Sequence, residues 1–344
     1  MDSGEGLTLV DPHGDLVERV AAALPPNRQS DVIFLNAPDP KQPFGYNPLR
    51  YIPPSARHLA SSGLIEVLRK MWDDRAWGPR IEHILRNTFL TLLSREGSTL
   101  EDVLRILSER DFRLRVCRDL EDPILLRFWQ EEFNKYPLRL RAEAIAPIQT
   151  KIGAYLANPL LRRILTAPEK PISFNRIMDE RKILLVNLSR GLLGDDNSSL
   201  LGGLIVTTLA TAAFHRARML PEKRVDHWVY VDEFQSFTTR TVATMLSELR
   251  KFRVGMALAH QYLHQLEPEM RHAVLGNAGT IIAFRLGPED ASFLAREFQP
   301  RFSDRDLMNL PNHHIRLKLL IDGEPSTPFS ATTLAPDEIF RLAA

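Results

Sequence analysis

Residues 228–237, Trp-Val-Tyr-Val-Asp-Glu-Phe-Gln-Ser-Phe, limit the possible folds of this chain more than any other stretch. The first four residues are β-branched or aromatic, which predicts a strand buried in a sheet. The apolar run then stops at two adjacent carboxylates, Asp232 and Glu233. Acidic side chains at the carboxyl end of a parallel strand face the crevice where open α/β sheets bind ligands. The stretch therefore predicts a ligand site at the end of this strand.

A strand that ends in two carboxylates is also the Walker B pattern of nucleoside triphosphatases. In that chemistry Asp232 would hold Mg²⁺, directly or through water, and Glu233 would polarise the attacking water. The structural alternative is a strand followed by an acidic helix start, because carboxylates also favour helix N-termini. The stretch alone leaves both interpretations open.

Strands and helices alternate on both sides of this motif, which predicts an α/β fold with a mostly parallel sheet. Residues 6–10 predict a strand that ends at Asp11 of Asp-Pro-His-Gly-Asp, and an amphipathic helix follows. Asp11 and Asp15 would either contact a ligand or belong to a turn in which Asp15 caps the helix. Further strands are predicted at 31–35, 182–188, 254–259, 280–284 and 315–321, and further helices at 200–214 and 242–252.

The middle of the chain has a different pattern. From about residue 55 to 168 apolar residues recur at helical spacing without strand-like alternation, which predicts an all-helical insertion. Residues 41–54 are rich in proline and predict a linker before it. We therefore expect residues 1–54 and 171–344 to form one α/β domain, interrupted by a helical domain at 55–170.

Composition excludes some classes of protein. The 344 residues carry a net charge of +1, so any surface for a charged partner must be local. One cysteine, Cys117, excludes an internal disulfide and a cysteine-cluster metal site. Because the sequence has no signal-peptide core and no apolar run that approaches the length of a membrane span, we expect a soluble chain.

Four of the predicted strands end in polar side chains that would face one crevice if all four belong to the same sheet. These are Asp11, Asp232 with Glu233, Gln261 and Arg285. A nucleotide-hydrolysing site needs such a set: a carboxylate for Mg²⁺, a base for water, an amide that senses the γ-phosphate, and an arginine that neutralises transition-state charge. Each position also has a simpler explanation. Gln261 could cap a strand–loop junction, and Arg285 could pair with Glu289 or Asp290.

Five segments in this order resemble one family. They are Gly-Leu-Thr-Leu-Val-Asp-Pro-His-Gly-Asp-Leu, Asn47-Pro48-Leu49, Val-Asp-Glu-Phe, Leu-Arg-Lys-Phe and Ala-His-Gln. The chain resembles the conjugative coupling ATPases, the TraG/TraD-like proteins of type IV secretion in the HerA/FtsK group of hexameric DNA motors. The resemblance covers most of the chain. It implies a RecA-like P-loop NTPase core with an inserted all-α domain, and ATP and Mg²⁺ as cofactors.

The resemblance also implies partners and residue roles. The partners would be DNA, bound without sequence preference, further copies of the chain in a hexamer, and a relaxase or secretion-channel proteins. The location would be the cytoplasmic face of the bacterial plasma membrane. Arg250 would be the arginine finger, with Arg285 as second candidate. Asp11, Asp232 and Gln261 would contact the nucleotide. The alternative for Arg250 is a cation favoured by the C-terminal end of a helix.

The sequence departs from the family pattern in one important respect. It contains no Gly-x-x-x-x-Gly-Lys-[Ser/Thr], the loop whose backbone N–H groups and lysine hold the phosphates. The membrane anchor of the family is also missing. We therefore expect an N-terminally truncated motor that is inactive alone. The alternatives are an inactive adaptor that binds DNA or secretion substrates, and a nuclease that uses Asp11, Asp15 and Asp232 with Mg²⁺.

Overall fold

The computed structural model describes residues 4–50, 52–72, 77–166 and 168–335, and the side chain of Met245 lies outside this description. The contacts divide the chain into two compact units, Met1–Ala259 and His260–Ala344. The central feature of the first unit is a parallel sheet of five strands in the order β2-β5-β1-β6-β7. The strands are β1 (Gly6–Asp11), β2 (Val32–Asn36), β5 (Ile183–Asn187), β6 (His227–Val231) and β7 (Val254–Leu258). The prediction of a mostly parallel α/β sheet is confirmed.

The two faces of this sheet are covered to different extents. Every residue of β5 is buried, as expected for an apolar strand inside a parallel sheet. On one face Val17 of α1 (Asp15–Ala22) packs against Leu9. On β6, by contrast, Trp228 and Tyr230 are 43% and 41% exposed, while the residues between them are buried. The described residues therefore leave part of one sheet face uncovered along β6, the strand that precedes the two carboxylates.

Helices fill the sequence between the short parallel strands β3 (Phe44–Gly45) and β4 (Lys170–Pro171). They are α2 (Pro54–Met71), α3 (Pro79–Leu93), α4 (Leu100–Ser108), α5 (Arg110–Arg118), α6 (Pro123–Arg127), α7 (Leu138–Ala157) and α8 (Pro159–Thr166). The segment predicted as a linker is well packed, because Tyr46 and Leu49 are buried and Gly45 lies against the backbone of Ile164. That the helical segment is a separate domain stays a prediction.

The described part of the first unit also contains the helices α9 (Phe174–Asp179), α10 (Arg190–Leu193), α11 (Asp195–His215) and α12 (Arg240–Leu246). Within the described residues, one stretch, Asp195–Arg218, is long and apolar enough to cross a membrane, and 72% of its apolar window is buried inside the fold. This stretch is α11 with the turn after it, and the burial is that of a core helix. The sequence analysis had found no such run, because scattered polar residues interrupt it.

The continuous helix predicted at 242–252 is wrong. Helix α12 ends at Leu246, and a separate 3₁₀ turn follows at Leu249–Phe252. Leu249 and Phe252 are both buried, and a 3₁₀ turn places residues three apart on the same face. The tighter turn therefore buries both side chains just before the chain enters β7.

The second unit contains its own antiparallel sheet, in the order β12-β9-β8. Its strands are β8 (Ile281–Ala283), β9 (His314–Lys318) and β12 (Phe329–Thr332). The unit also contains a hairpin of β10 (Leu320–Ile321) and β11 (Glu324–Pro325). Its helices are α13 (Pro268–Asn277), α14 (Pro288–Phe298) and α15 (Asp304–Met308). The expectation that the strand at 280–284 continues the parallel sheet is wrong, since β8 pairs with β9. A short apolar run specifies a strand but does not specify its partner.

Candidate active site

Three neighbouring strands of the parallel sheet end side by side in polar residues. Asp11 is in register with Asn187 at the ends of β1 and β5. The backbone N–H of Asp232 donates to the carbonyl oxygen of Val10 at 3.1 Å, which carries the pairing of β1 and β6 one residue past the end of β6. Asn187, Asp11 and Asp232 therefore lie at the carboxyl edge of adjacent strands, where open α/β sheets bind ligands.

Asp11 is fully buried, and its carboxylate accepts three backbone N–H bonds. Oδ1 accepts from His13 at 2.8 Å, and Oδ2 accepts from Leu16 at 2.9 Å and from Val17 at 3.1 Å. These donors lie in the turn after β1 and in the first turn of α1. Asp11 rather than Asp15 therefore caps the helix, and it does so from the end of the preceding strand. The nuclease alternative is weakened, because one of its three carboxylates already holds the backbone. Nucleotide contact by Asp11 stays a prediction.

Asn187 is a site residue that the sequence analysis missed. Its Oδ1 accepts the backbone N–H of Ser189 at 2.9 Å, and Gly14 packs directly against its side chain. Gly14 has φ 93°, and a Cβ there would lie 2.7 Å from Asn187 Oδ1. A non-glycine residue is excluded both by the backbone conformation and by this contact. Asn187 could have been identified from the sequence, because it is a polar residue at the end of a predicted apolar strand, as Asp11 is.

Asp232 is half-buried, and burial raises the pKa of its carboxyl. The negative charges of Glu233 and Asp11 raise this pKa further, while the backbone N–H of Glu233, which donates to Oδ1 at 3.0 Å, lowers it. A cation would relieve this concentration of negative charge, so the residues fit a magnesium ion. Among the described residues no group of three or more His, Cys, Asp and Glu could hold a metal by itself. Mg²⁺ commonly takes one or two carboxylates and completes its shell with substrate phosphates and water.

Glu233 has an unusual backbone. Its φ of 48° and ψ of 46° lie in the left-handed region, which costs a non-glycine residue roughly 1–2 kcal/mol. The residue is 8% exposed, and its carboxylate accepts a hydrogen bond from Gln235 Nε2. Phe234 N–H donates to the carbonyl oxygen of Ala259 at 3.0 Å and ties this loop to the end of β7. Strain of this kind is concentrated at functional sites, which makes the loop a candidate for chemistry.

Arg250 does not join these carboxylates within one chain. It is exposed and lies in the 3₁₀ turn before β7, whereas Asp232 follows the end of β6, the parallel neighbour of β7. A strand of this length separates the two edges of the sheet by about 17 Å. The turn is held in place by Arg216, which donates to the carbonyl oxygen of Phe252 at 3.0 Å. An arginine-finger role would therefore require a neighbouring subunit.

Gln261 and Arg285 both belong to the second unit. Gln261 comes two residues after Ala259, and Arg285 comes two residues after the end of β8; both are exposed. The alternative ion pairs of Arg285 do not occur among the described contacts, and the Asp290 carboxylate accepts the backbone N–H of Leu263 at 3.0 Å instead. Catalytic or nucleotide-sensing roles for these two residues stay predictions.

No protein-family model and no curated protein sequence matches this chain. Solved structures do match. Plasmid coupling protein TrwB in complex with a non-hydrolysable ATP analogue superposes with a TM-score of 0.69 at 15% identity, over 96% of this chain and 78% of TrwB. The chain has the fold of a coupling protein. TrwB in complex with ADP and Mg²⁺ gives a TM-score of 0.67 at 15% identity, over 96% of this chain and 78% of TrwB. VirB4 of Thermoanaerobacter pseudethanolicus gives 0.59 at 12% identity, over 98% of this chain and 84% of VirB4.

The TrwB-like fold confirms, at the level of the fold, the resemblance to coupling proteins and the RecA-like P-loop NTPase type of fold that the sequence analysis predicted. At 12–15% identity these matches establish the fold, and the chemistry has to be argued from the residues of this chain. The complexes of TrwB with a GTP analogue, with an ATP analogue, and with ADP and Mg²⁺ describe that protein's ligands.

Proposed function

We propose that this chain is a subunit of an ATP-driven DNA translocase of the coupling-protein type, in a conjugative type IV secretion system. The observation that carries the proposal is the position of Asp232 and Glu233 at the carboxyl edge of a central parallel strand in a TrwB-like fold. The proposed assembly is a hexamer at the cytoplasmic face of the inner membrane. It would bind DNA mainly through phosphates, and hence without sequence preference, and would receive its substrate from a relaxase or secretion-channel protein.

The proposed chemistry assigns a role to each residue. Asp232 would hold a magnesium ion, which would supply positive charge for the phosphates, and Glu233 would orient the attacking water. To do so the Glu233 carboxylate would exchange its bond with Gln235 for one with water. Arg250 of a neighbouring subunit would neutralise transition-state charge, and Gln261 would sense the γ-phosphate.

The 344 residues of this sequence contain no Gly-x-x-x-x-Gly-Lys-[Ser/Thr]. We propose that another segment or subunit supplies this loop, and we expect no measurable ATP hydrolysis from the chain alone. ATP turnover by the purified chain that disappears in Asp232→Ala would contradict this and would indicate a different nucleotide site.

The test is to join this chain to the phosphate-binding segment of a coupling protein and to measure ATP binding and hydrolysis. Glu233→Gln keeps the size of the side chain and removes its charge, so ATP should still bind while turnover is lost. Glu222→Gln, in the exposed 3₁₀ turn Pro221–Lys223, is the matched control and should leave turnover unchanged. Normal turnover in Glu233→Gln would contradict the proposed role. DNA binding without any hydrolysis by the restored protein, with Asp232, Glu233 and Arg250 intact, would favour the adaptor instead.

Mixing subunits tests whether Arg250 acts on its neighbour. In the restored protein Arg250→Ala should reduce turnover by about 10³–10⁵-fold, the range for arginine fingers, and spare ATP binding. An Arg250→Ala subunit retains an intact Glu233, and a Glu233→Gln subunit retains an intact arginine, so mixed oligomers should recover activity that neither has alone. Lys251→Ala is the control in the same turn. If the two proteins co-assemble without recovery, Arg250 acts in its own subunit or is structural, and Arg285 becomes the next candidate.

A further inference from the structure

The first unit contains a cavity of about 510 Å³ that is separate from the carboxylate site. It lies between α2, α11 and the segment that precedes α2, and we call it the α2–α11 cavity. None of Asp11, Asp232 and Glu233 lines it. Its volume is within the range of small-molecule sites, roughly 300–1,000 Å³.

The charge of the lining is one-sided. Three basic side chains, Arg50, His215 and Arg218, line the cavity, and its described lining residues include no aspartate or glutamate. His215 and Arg218 are exposed, so they lie where the cavity meets solvent, whereas Arg50 is partly buried. The cavity therefore favours an anion, with its most desolvated cation on the inside.

The partly buried guanidinium of Arg50 has no counter-charge among the described residues. Among the described contacts its side chain forms no ion pair and no hydrogen bond, and burial lowers its pKa. The ionisable group that interacts with Arg50 is Tyr46. Tyr46 is fully buried, and its hydroxyl forms a hydrogen bond with Thr208 Oγ1 at 3.0 Å. Burial raises the pKa of the Tyr46 phenol, so Tyr46 is neutral at physiological pH and leaves the charge of Arg50 uncompensated. Partial burial of a charge without a partner carries a cost, and an anionic ligand in the cavity would offset it.

Other parts of the lining fit an anion with an apolar portion. The cavity includes Ser55 and Ala56 in the first turn of α2, an 18-residue helix with no acidic residue in that turn, so the positive end of its dipole adds to the basic side chains. Thr207 also lines the cavity, and its buried Oγ1 has no hydrogen-bond partner among the described residues. Apolar contact would come from Leu59, Leu64, Leu204 and Phe214.

We propose that the α2–α11 cavity binds a small organic phosphate, with its phosphate on Arg50 and its apolar portion against Leu59, Leu204 and Phe214. The Thr207 hydroxyl adds a hydrogen-bond donor to the arginines of the lining, which favours phosphate, with three oxygens to satisfy, over a carboxylate. The position of Arg50 on the inside of the cavity, between α2 and α11, favours a soluble molecule over a lipid headgroup that stays in a bilayer. The proposal is independent of ATP hydrolysis at Asp232 and Glu233.

Calorimetric titration of the full chain with phenyl phosphate tests the proposal, with inorganic phosphate, benzoate and phenol as comparison probes. Phenyl phosphate should bind more tightly than each of the other three. Arg50→Met keeps the apolar stem and removes the charge, so it should weaken binding by about tenfold or more, the loss expected for a charge-assisted hydrogen bond. Arg95→Met is the matched control, since Arg95 is also partly buried but does not line the cavity.

Thermal unfolding of the variants separates loss of the site from loss of the fold. Arg50→Met should unfold at the same or a higher temperature than the unmodified chain, because it removes an unpaired charge. If it fails to fold, Arg218→Met, on an exposed residue, should still weaken phenyl phosphate binding severalfold. The proposal is overturned if phenyl phosphate binds no better than inorganic phosphate, or if both arginine variants bind it normally. Competition by phosphatidic acid vesicles that requires Arg50 would also overturn it, in favour of a lipid headgroup.

Discussion

Gly202 of α11 lies so close to Phe237 that a Cβ built on it would stand 2.3 Å from two carbons of the ring. Phe237 closes the loop that carries Glu233, and its backbone N–H donates to the carbonyl oxygen of Phe234 at 2.9 Å. The core helix and the candidate catalytic loop are therefore in direct contact at a position where only glycine fits.

This contact predicts opposite changes in stability when each of two adjacent glycines is replaced by alanine. Alanine in a helix interior usually stabilises by about 1 kcal/mol relative to glycine. Gly202→Ala should nevertheless lower the free energy of unfolding by about 1–3 kcal/mol, because the methyl group overpacks the contact with Phe237. Gly203→Ala should be neutral or stabilising, since its nearest neighbour is Val67 Cγ1 at 3.3 Å. Urea denaturation of both variants measures the difference, and equal free energies would show that Phe237 moves away at little cost.

Removal of the Asp11 carboxylate and removal of the Asp232 carboxylate should change the free energy of unfolding differently. Asp11→Ala leaves three buried or partly buried N–H groups without their acceptor, so it should destabilise the chain by about 1–3 kcal/mol. Asp232→Ala should have little effect or stabilise slightly, because burial and two neighbouring negative charges already disfavour that carboxylate. Asp15→Ala, in the first turn of α1, is the control and should cost less than Asp11→Ala. A larger loss for Asp232→Ala than for Asp11→Ala would reverse this assignment of structural and functional carboxylates.

The buried His227 should make the chain sensitive to acid. Its Nε2 lies 3.0 Å from Thr8 Oγ1, and burial, with the charge of Arg216, lowers its pKa to about 3. The pKa of an unfolded histidine is about 6.5, so only the unfolded state takes up this proton between these values. The contribution of His227 is therefore complete above pH 6.5 and is lost as the pH falls towards 3, by up to about 1.4 kcal/mol per pH unit.

A comparison of the unmodified chain with His227→Gln isolates this contribution. The difference in the free energy of unfolding between the two proteins should decrease when the pH is lowered from 7 to 5. Chemical denaturation at several pH values provides the measurement. A difference that stays constant over this range would show that His227 becomes protonated in the folded state as easily as in the unfolded one.

The helical segment offers a test of domain organisation. Its core includes fully buried Ile84, Trp129 and Ile148, and Trp129 Nε1 donates to Thr91 Oγ1 at 2.9 Å. Residues 55–170 expressed alone should therefore be helical by circular dichroism and unfold in one transition. Because Gly63 of α2 packs against Thr207 of α11, a shorter piece, residues 79–166, serves as the comparison. Disorder in both pieces would mean that the helices depend on the sheet.

The sequence predicted the parallel sheet and the position of Asp232 and Glu233 because those features are local. A β-branched run that ends in carboxylates predicts a strand with acidic residues at its end, whichever strands it pairs with. The alternation of strands and helices restricts the topology. The parallel register of Asp11 with Asn187 then follows from the fold.

Features that depend on distant partners were not predictable from local patterns. The strand pairing of β8 with β9 is decided by residues more than 30 positions apart, and nothing in Ile281–Ala283 specifies it. The packing of Tyr46 against Thr208 likewise joins segments far apart in the chain, so a proline-rich stretch was interpreted as a linker. The capping role of Asp11 depends on the path of the turn after β1, which brings backbone N–H groups to its carboxylate. The residue types in the turn do not specify that path.

The uncovered face of β6 carries a tryptophan whose intrinsic fluorescence can report on that face. Trp72 and Trp129 are buried, whereas Trp228, near the start of β6, is 43% exposed, with its Nε1 donating to Glu5 Oε2 at 2.9 Å. A collisional quencher such as acrylamide should therefore reach Trp228 far more readily than the two buried indoles. Any segment, subunit or ligand that covers this face of β6 should reduce that quenching and shift the emission to shorter wavelength, so coverage of the face can be measured without an attached dye.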